Sequence, residues 1–158
     1  GHLQCARVLT KHGADVSARD VPGYTPLHMS SRYPAIVRLL LKHGAGASCK
    51  TLEGGTPLHS AVPEGPLESV QLLIEHRADV SSINASGHTP LHMASRYPTI
   101  VRLLLEHGAD VSAETLEGST PLINTAAKGH VEAARVLIEH RADVSAQNRL
   151  GLSPLHAA

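Results

Sequence analysis

Tryptophan and phenylalanine are absent, and three tyrosines are the only aromatic residues among 158. A stacking platform for single-stranded nucleic acid has little to build on. A charge excess of one sign is lacking as well. Fourteen basic and fourteen acidic side chains cancel, so nothing argues for nucleic acid or an anionic membrane as partner. No apolar run approaches the roughly 20 residues of a membrane span. Cysteine is scarce: Cys5 and Cys49 have neither CxxC nor Cys/His ligand spacing. They read as reduced thiols rather than a disulfide, which suits a cytoplasmic or nuclear setting. The sequence opens on GHLQCARVLT, without Met and as if in mid-element, and no leader peptide is expected from it. What is present is 42% hydrophobic, mostly Leu, Val, Ile and Ala. Small aliphatic side chains suit close helix–helix packing better than a β-sandwich.

The order of these residues is periodic. Thr-Pro-Leu-His starts at Thr25, Thr56 and Thr89, and variants follow at Thr120 (TPLI) and Ser153 (SPLH), at spacings of 31, 33, 31 and 33 residues. A second ladder runs in phase: LTKHGADVSA, LLKHGAGASC, LIEHRADVSS, LLEHGADVSA and LIEHRADVSA. The larger unit is a 31-residue and a 33-residue repeat together, Thr25–His88, which recurs as Thr89–Leu152. Within a repeat, Thr can cap a helix and Pro is tolerated at its first position. A short first helix is predicted (PLHMSSR, PLINTAAK), then a tight turn and a second helix such as AIVRLLLKHG. In the second helix Ile36, Val37, Leu39, Leu40 and Leu41 wrap most of the circumference, so it needs neighbours on several sides. Gly44 and Gly108 should end it in left-handed geometry. ADVSA then leaves as an extended arm towards a Gly-containing turn. Such a pair cannot close its own core, but stacked copies can.

D-x-x-G-x-TPLH, the Gly-His before a second helix, and LLxxGADVSA resemble the ankyrin repeat along the whole chain. The resemblance implies an all-α repeat solenoid of stacked antiparallel helix pairs with projecting β-hairpin-like turns. It sets full repeats at 19–49, 50–82, 83–113 and 114–146, with partial repeats at 1–18 and 147–158, in one array spanning 1–158. Both ends fall inside a repeat without a polar cap, so a segment of a longer array, or an array whose capping elements are left out, is expected. In this family the tetrad histidine hydrogen-bonds backbone near the turn of a neighbouring repeat.

Twelve histidines raise the question of a metal. Four sit in the tetrads (His28, His59, His92, His156) and five in the HG/HR ends (His12, His43, His76, His107, His140). Each class recurs at the repeat period, so its copies lie about 10 Å apart, too far to share a zinc at about 2 Å per bond. No metal and no cofactor are expected. GxSxG, HExxH and GxxxxGK[ST] are absent, and the Glu75–His76, Glu106–His107 and Glu139–His140 steps read as solvated helix ends. The chain is therefore expected not to be an enzyme.

Departures from the repeat are informative. Arg77 and Arg141 stand where Gly44 and Gly108 stand, and in left-handed geometry each costs on the order of 1 kcal/mol. Gly46 replaces the Asp of the other arms and should loosen the arm to Lys50. VPEGP (Val62–Pro66) should end its helix early, because two prolines cannot both be helix-interior. SRYP occurs at Ser31–Pro34 and Ser95–Pro98, where the 31-residue repeats lose two residues and the Gly-His turn. Pro suits the first position of the second helix and pushes the preceding Tyr to extended geometry. Arg then ends one helix, Tyr is the bend and Pro begins the next.

That reading explains Pro34 and Pro98 but not Arg and Tyr. Arg32/Tyr33 and Arg96/Tyr97 match the end of the inner helix, which in ankyrin-like stacks faces the concave groove. The other repeats put Pro63/Glu64 and Ala127/Lys128 there. Arg and Tyr are enriched at interface hot spots, but Tyr could equally just cover the shortened turn. Arg32 and Arg96 could instead pair with Glu53 and Glu117, an exposed contact that contributes little. The projecting turns add variable residues: Val21, Pro22, Tyr24, Leu52, Glu53, Ala85, Ser86, His88, Leu116 and Glu117. Candidate partner-binding residues are thus Arg32, Tyr33, Arg96, Tyr97, Tyr24, Leu52, Glu53, His88, Leu116, Glu117, Glu64 and Lys128. The expected function is that of a monomeric, non-catalytic protein-interaction module that presents a preformed surface to a protein or peptide. The alternative is a spacer or regulatory segment of a larger enzyme, channel or ubiquitin-ligase adaptor. Nucleic acid and membrane are not expected as partners.

Overall fold

The computed structural model describes residues 1–64 and 66–158. Helices follow in the order α1 (Leu3–Lys11), α2 (Pro26–Met29), α3 (Pro34–Lys42), α4 (Pro57–Glu64), α5 (Leu67–Glu75), α6 (Pro90–Met93), a 3₁₀ turn (Ala94–Arg96), α7 (Pro98–Glu106), α8 (Pro121–Ala126), α9 (Val131–Glu139) and α10 (Pro154–Ala157). No strand occurs among the described residues. The fold is the all-α repeat solenoid of stacked helix pairs. The chain forms two compact units, Gly1–Asp79 and Val80–Ala158. In the first, inner helices α2 and α4 stack together while outer helices α1, α3 and α5 form a second row. In the second, α6, α8 and α10 are inner and α7 and α9 outer.

The pairs close their core by stacking. Inner helices α2, α4, α6 and α8 bury the tetrad leucine, Leu27, Leu58, Leu91 or Leu122, at 0–3% exposure, while Leu155 of α10 is exposed. The outer helices between two neighbours answer with one face: Val37, Leu40 and Leu41 in α3, Ile100, Val101 and Leu104 in α7. Burying one such side chain contributes about 1.5–3 kcal/mol. Ile36 and Leu39 are only half-buried, so the apolar wrap of α3 is narrower than its sequence suggests.

The SRYP turn is built as the sequence implies. Tyr33 and Tyr97 sit at φ −120° and −122°, and α3 and α7 begin at Pro34 and Pro98. The Tyr33 and Tyr97 N–H groups close the bend onto the carbonyls of Ser30 (2.7 Å) and Ala94 (2.8 Å). VPEGP behaves otherwise. Rather than ending early, α4 runs to Glu64 with Pro63 inside it. Pro63 stands in the last turn, where its missing N–H forfeits a single bond at a place where the helix is about to end anyway. Gly65 of the same stretch lies outside the described residues.

The outer helices end as expected, with Gly44 at φ 86° and Gly108 at 87°. Arg77 and Arg141 take the same turn at φ 62° and 67°. A Cβ at Gly44 or Gly108 would meet nothing within 4 Å, so the arginines pay a backbone cost alone. After the entropy that glycine adds to the unfolded chain is set against it, Arg77→Gly should gain about 0.5–1 kcal/mol. Thermal denaturation should show Tm rising by about 2 °C; an unchanged or lower Tm would refute the strain. The arms repeat as well: Asp15, Asp110 and Asp143 each accept the N–H of the serine two residues on at 2.8 Å. Gly46 has no side chain for that turn.

Candidate functional site

Two histidine classes hold the frame of the surface, with opposite tautomers. In the tetrads, His28 Nδ1 accepts the Thr25 N–H at 3.1 Å and His92 Nδ1 accepts that of Thr89 at 3.2 Å. Their Nε2 atoms therefore carry the proton and donate to the next repeat, to the Gly55 carbonyl at 3.2 Å and the Ser119 carbonyl at 3.0 Å. Burial lowers the pKa of both; that of His92 falls to about 4. The helix-end histidines work the other way round. Nδ1 of His12, His43, His76, His107 and His140 donates to the carbonyl four residues back, at 2.8–2.9 Å. A carbonyl can only accept, so Nδ1 is the protonated atom here. The sequence marks these five as one architectural position; the structure shows that they cap helix C-termini.

The turns form a hydrogen-bonded row inside each unit. In the first, the Leu52 N–H donates to the Pro22 carbonyl at 3.0 Å. In the second, Leu116 N–H reaches Ser86 O at 3.3 Å and Arg149 N–H reaches Glu117 O at 3.0 Å. The backbone is thus held while the side chains face solvent. Val21 is 93% exposed, Leu52 81%, Leu116 59% and Leu150 81%. Glu53 and Glu117 are exposed beside them. Leu150 escapes a sequence reading because it lies in a partial repeat, although it holds the same turn position as Glu53 and Glu117.

Two turn residues look inward instead. The Tyr24 ring lies edge-on to His28 and the His88 ring edge-on to His92, with centroids 5.6 Å apart in both pairs. Tyr24 and His88 therefore shield the capping histidines as well as facing the rim.

The inner-helix ends differ between the two SRYP copies. Arg32 is paired, but with Glu64 at 2.5 Å and not with Glu53. The inner helix of the next repeat brings Glu64 alongside, whereas Glu53 sits out on the turn. In the second unit Lys128 takes the place of Glu64, and its Nζ reaches Ser95 Oγ at 3.4 Å, beside Arg96. Among the described residues no carboxylate, Glu117 included, lies within ion-pair distance of Arg96. Tyr33 is 39% exposed and Tyr97 less so. The structure thus brings Arg32, Tyr33 and Glu64 together in one unit and Arg96, Tyr97 and Lys128 in the other.

A family model for ankyrin repeats (3 copies) matches residues 31–115, and a second, ankyrin repeats (many copies), matches residues 104–158. The chain belongs to the ankyrin repeat family. Protein phosphatase 1 regulatory subunit 27 of Homo sapiens and that of Mus musculus are each 50% identical to it over 40 residues. Those alignments cover 24% of this ankyrin chain and 26% of each relative. The chain thus matches about a quarter of the length of these curated relatives. No described helix is long and apolar enough to cross a membrane. Among the described residues no three His, Cys, Asp or Glu side chains come together as metal ligands would.

Proposed function

We propose that this ankyrin chain is a non-catalytic interaction module that holds a protein or peptide on its turns and inner-helix ends. The observation that carries this reading is the set of exposed apolar side chains on neighbouring hydrogen-bonded turns, Val21 and Leu52 in one unit and Leu116 and Leu150 in the other. Large apolar groups on a rigid edge bind at little ordering cost. Arg32, Tyr33, Arg96, Tyr97 and Lys128 supply the polar and aromatic part of the surface, with Leu52, Glu53, Leu116 and Glu117 along the edge. Glu64 already satisfies Arg32, so the Arg96/Tyr97/Lys128 end is the stronger anchor. The array acts as a monomer in this role, within a cytoplasmic or nuclear protein. Its repeats are set at 19–49, 50–82, 83–113 and 114–146. A second reading, the regulatory segment of a larger assembly, is supported by the two relatives, which are regulatory subunits.

Affinity capture tests the site. The wild type is compared with Arg32/Tyr33/Arg96/Tyr97→Ala and with Val21/Leu52/Leu116/Leu150→Ser, all shown by circular dichroism to be folded. Both variants should lose partners that the wild type retains, and Arg96/Tyr97→Ala should lose more than Arg32/Tyr33→Ala. Identical captured sets would dispose of the assignment.

A further inference from the structure

The zero net charge conceals a division along the chain. Residues 1–52 hold seven basic and two acidic side chains; residues 53–158 hold seven basic and twelve acidic ones. Between Asp20 and Glu53 there is no acid at all. Outer helices α1 and α3 carry four of the seven cations, Arg7, Lys11, Arg38 and Lys42, and no acid. Between α1 and α3 lies an open hollow of about 410 Å³. Its lining includes Arg7, Arg38, Lys42, His43 and Ala35, and no carboxylate.

The neighbouring junctions explain the hollow. Between α3 and α5, Arg38 meets Glu68 at 3.0 Å. Between α7 and α9, Arg102 meets a different acid, Glu139 at the end of α9, at 3.0 Å, and the residue at that position in α3 is Lys42. Arg7 holds in α1 the position of Arg38 in α3, one repeat earlier, but Ala35 stands in α3 where α5 has Glu68. The acid that α5 sets beside Arg38 is thus a methyl group in α3, as it is a hydroxyl, Thr99, in α7, and three cations line the space. Arg38 engages Glu68 through one terminal nitrogen, so its guanidinium fork keeps further donors for a second acceptor.

We propose that the α1–α3 hollow is a docking site for an acidic segment of a partner protein, with one Asp or Glu side chain entering where Ala35 leaves the carboxylate out. It lies on the outer helices, separate from the turns and inner-helix ends, and does not depend on their role. The open trough suits an extended chain, with Arg7 and Lys42 at hand for flanking acids.

The probe is a fluorescein-labelled octa-glutamate peptide, followed by anisotropy at salt between about 0.01 and 0.1 M, where screening lengths are about 30 to 10 Å. Wild type should bind it, and the affinity should fall about tenfold or more in Ala35→Glu, which places the acid within the chain. Arg7→Gln, an exposed change that leaves the packing untouched, should weaken binding in the same direction. Arg96/Tyr97→Ala should leave it unchanged, which separates this site from the inner-helix surface. Thermal melts confirm that each variant is folded. Equal affinity of wild type and Ala35→Glu would overturn the proposal, as would no binding by wild type. Tighter binding of an RNA oligonucleotide of equal charge would also overturn it, because a nucleic acid would then be the better occupant.

Discussion

Acidification from pH 7 to pH 4 should cost the second unit about 3 kcal/mol through His92 alone. The imidazole is 1% exposed. Its Nδ1 accepts from the Thr89 N–H and lies 2.9 Å from the Thr89 hydroxyl, while Nε2–H donates to Ser119 O. A proton on Nδ1 would set two N–H groups against each other and leave a charge where water does not reach. Burial is the main reason that the pKa falls from 6.5 to about 4, and the neighbouring His88 lowers it further. The sign follows. Above pH 6.5 the ring is neutral in both states and its stabilisation is fully present. As the pH falls below that value the unfolded chain takes up the proton first, and stability is lost until the folded ring also titrates near pH 4. The full gap between 6.5 and about 4 is worth about 3.5 kcal/mol at roughly 1.4 kcal/mol per pH unit, and about 3 of it is lost by pH 4, where the folded ring is half protonated. His28 is buried in the same cradle and shifts in the same direction.

Carboxylates titrate over the lower part of this range, so the measurement needs a reference. His92→Gln keeps an acceptor and a donor but does not ionise. Urea denaturation of wild type and His92→Gln at intervals from pH 7 to pH 4 should give two curves that converge, the wild type losing about 3 kcal/mol more. Parallel curves would mean that His92 does not resist protonation.

Backbone features were legible in the sequence because they are local. Thr-Pro starts a helix from its own residues, Gly44 and Gly108 take positive φ because of their own missing Cβ, and Tyr-Pro makes its own bend. The strain at Arg77 and Arg141 could be read for the same reason. Side-chain partners were less legible, because stacking decides them. Along the repeat Glu53 is one acid that Arg32 could pair with, yet the inner-helix row delivers Glu64. Tyr24 and His88 sit at a turn tip in sequence, and only the folded hairpin shows that their rings lean on His28 and His92. Pro63 stays helical against the sequence expectation because it stands in a last turn, where the penalty for a helix-interior proline is small. The Ala35 hollow becomes visible only when one outer helix is laid beside the next.

The turns provide the second large effect. Gly87→Ala should cost about 3 kcal/mol, and Gly108→Ala only about 1. Both glycines are left-handed, at φ 76° and 87°. They differ in what a Cβ would meet. At Gly108 there is nothing within 4 Å; at Gly87 the Leu116 nitrogen would lie at 2.7 Å and Thr115 backbone atoms at 3.1 Å. A backbone cannot swing aside as a side chain can, so the two turns must separate. That separation removes the Leu116 N–H bond to Ser86 O. The backbone conformation accounts for about 1–2 kcal/mol in either variant, less a few tenths for the stiffer unfolded chain. The remaining difference belongs to the close approach. Urea unfolding of both variants isolates it, and equal losses would show that the turns are not held in contact. The same displacement bears on binding. Leu116 projects from the residue whose N–H makes that bond, so Gly87→Ala should shift an exposed Leu on the edge and weaken partner capture more than Gly108→Ala does. A turn glycine with no side chain of its own would then set both the stability of the row and the spacing of the groups that it presents.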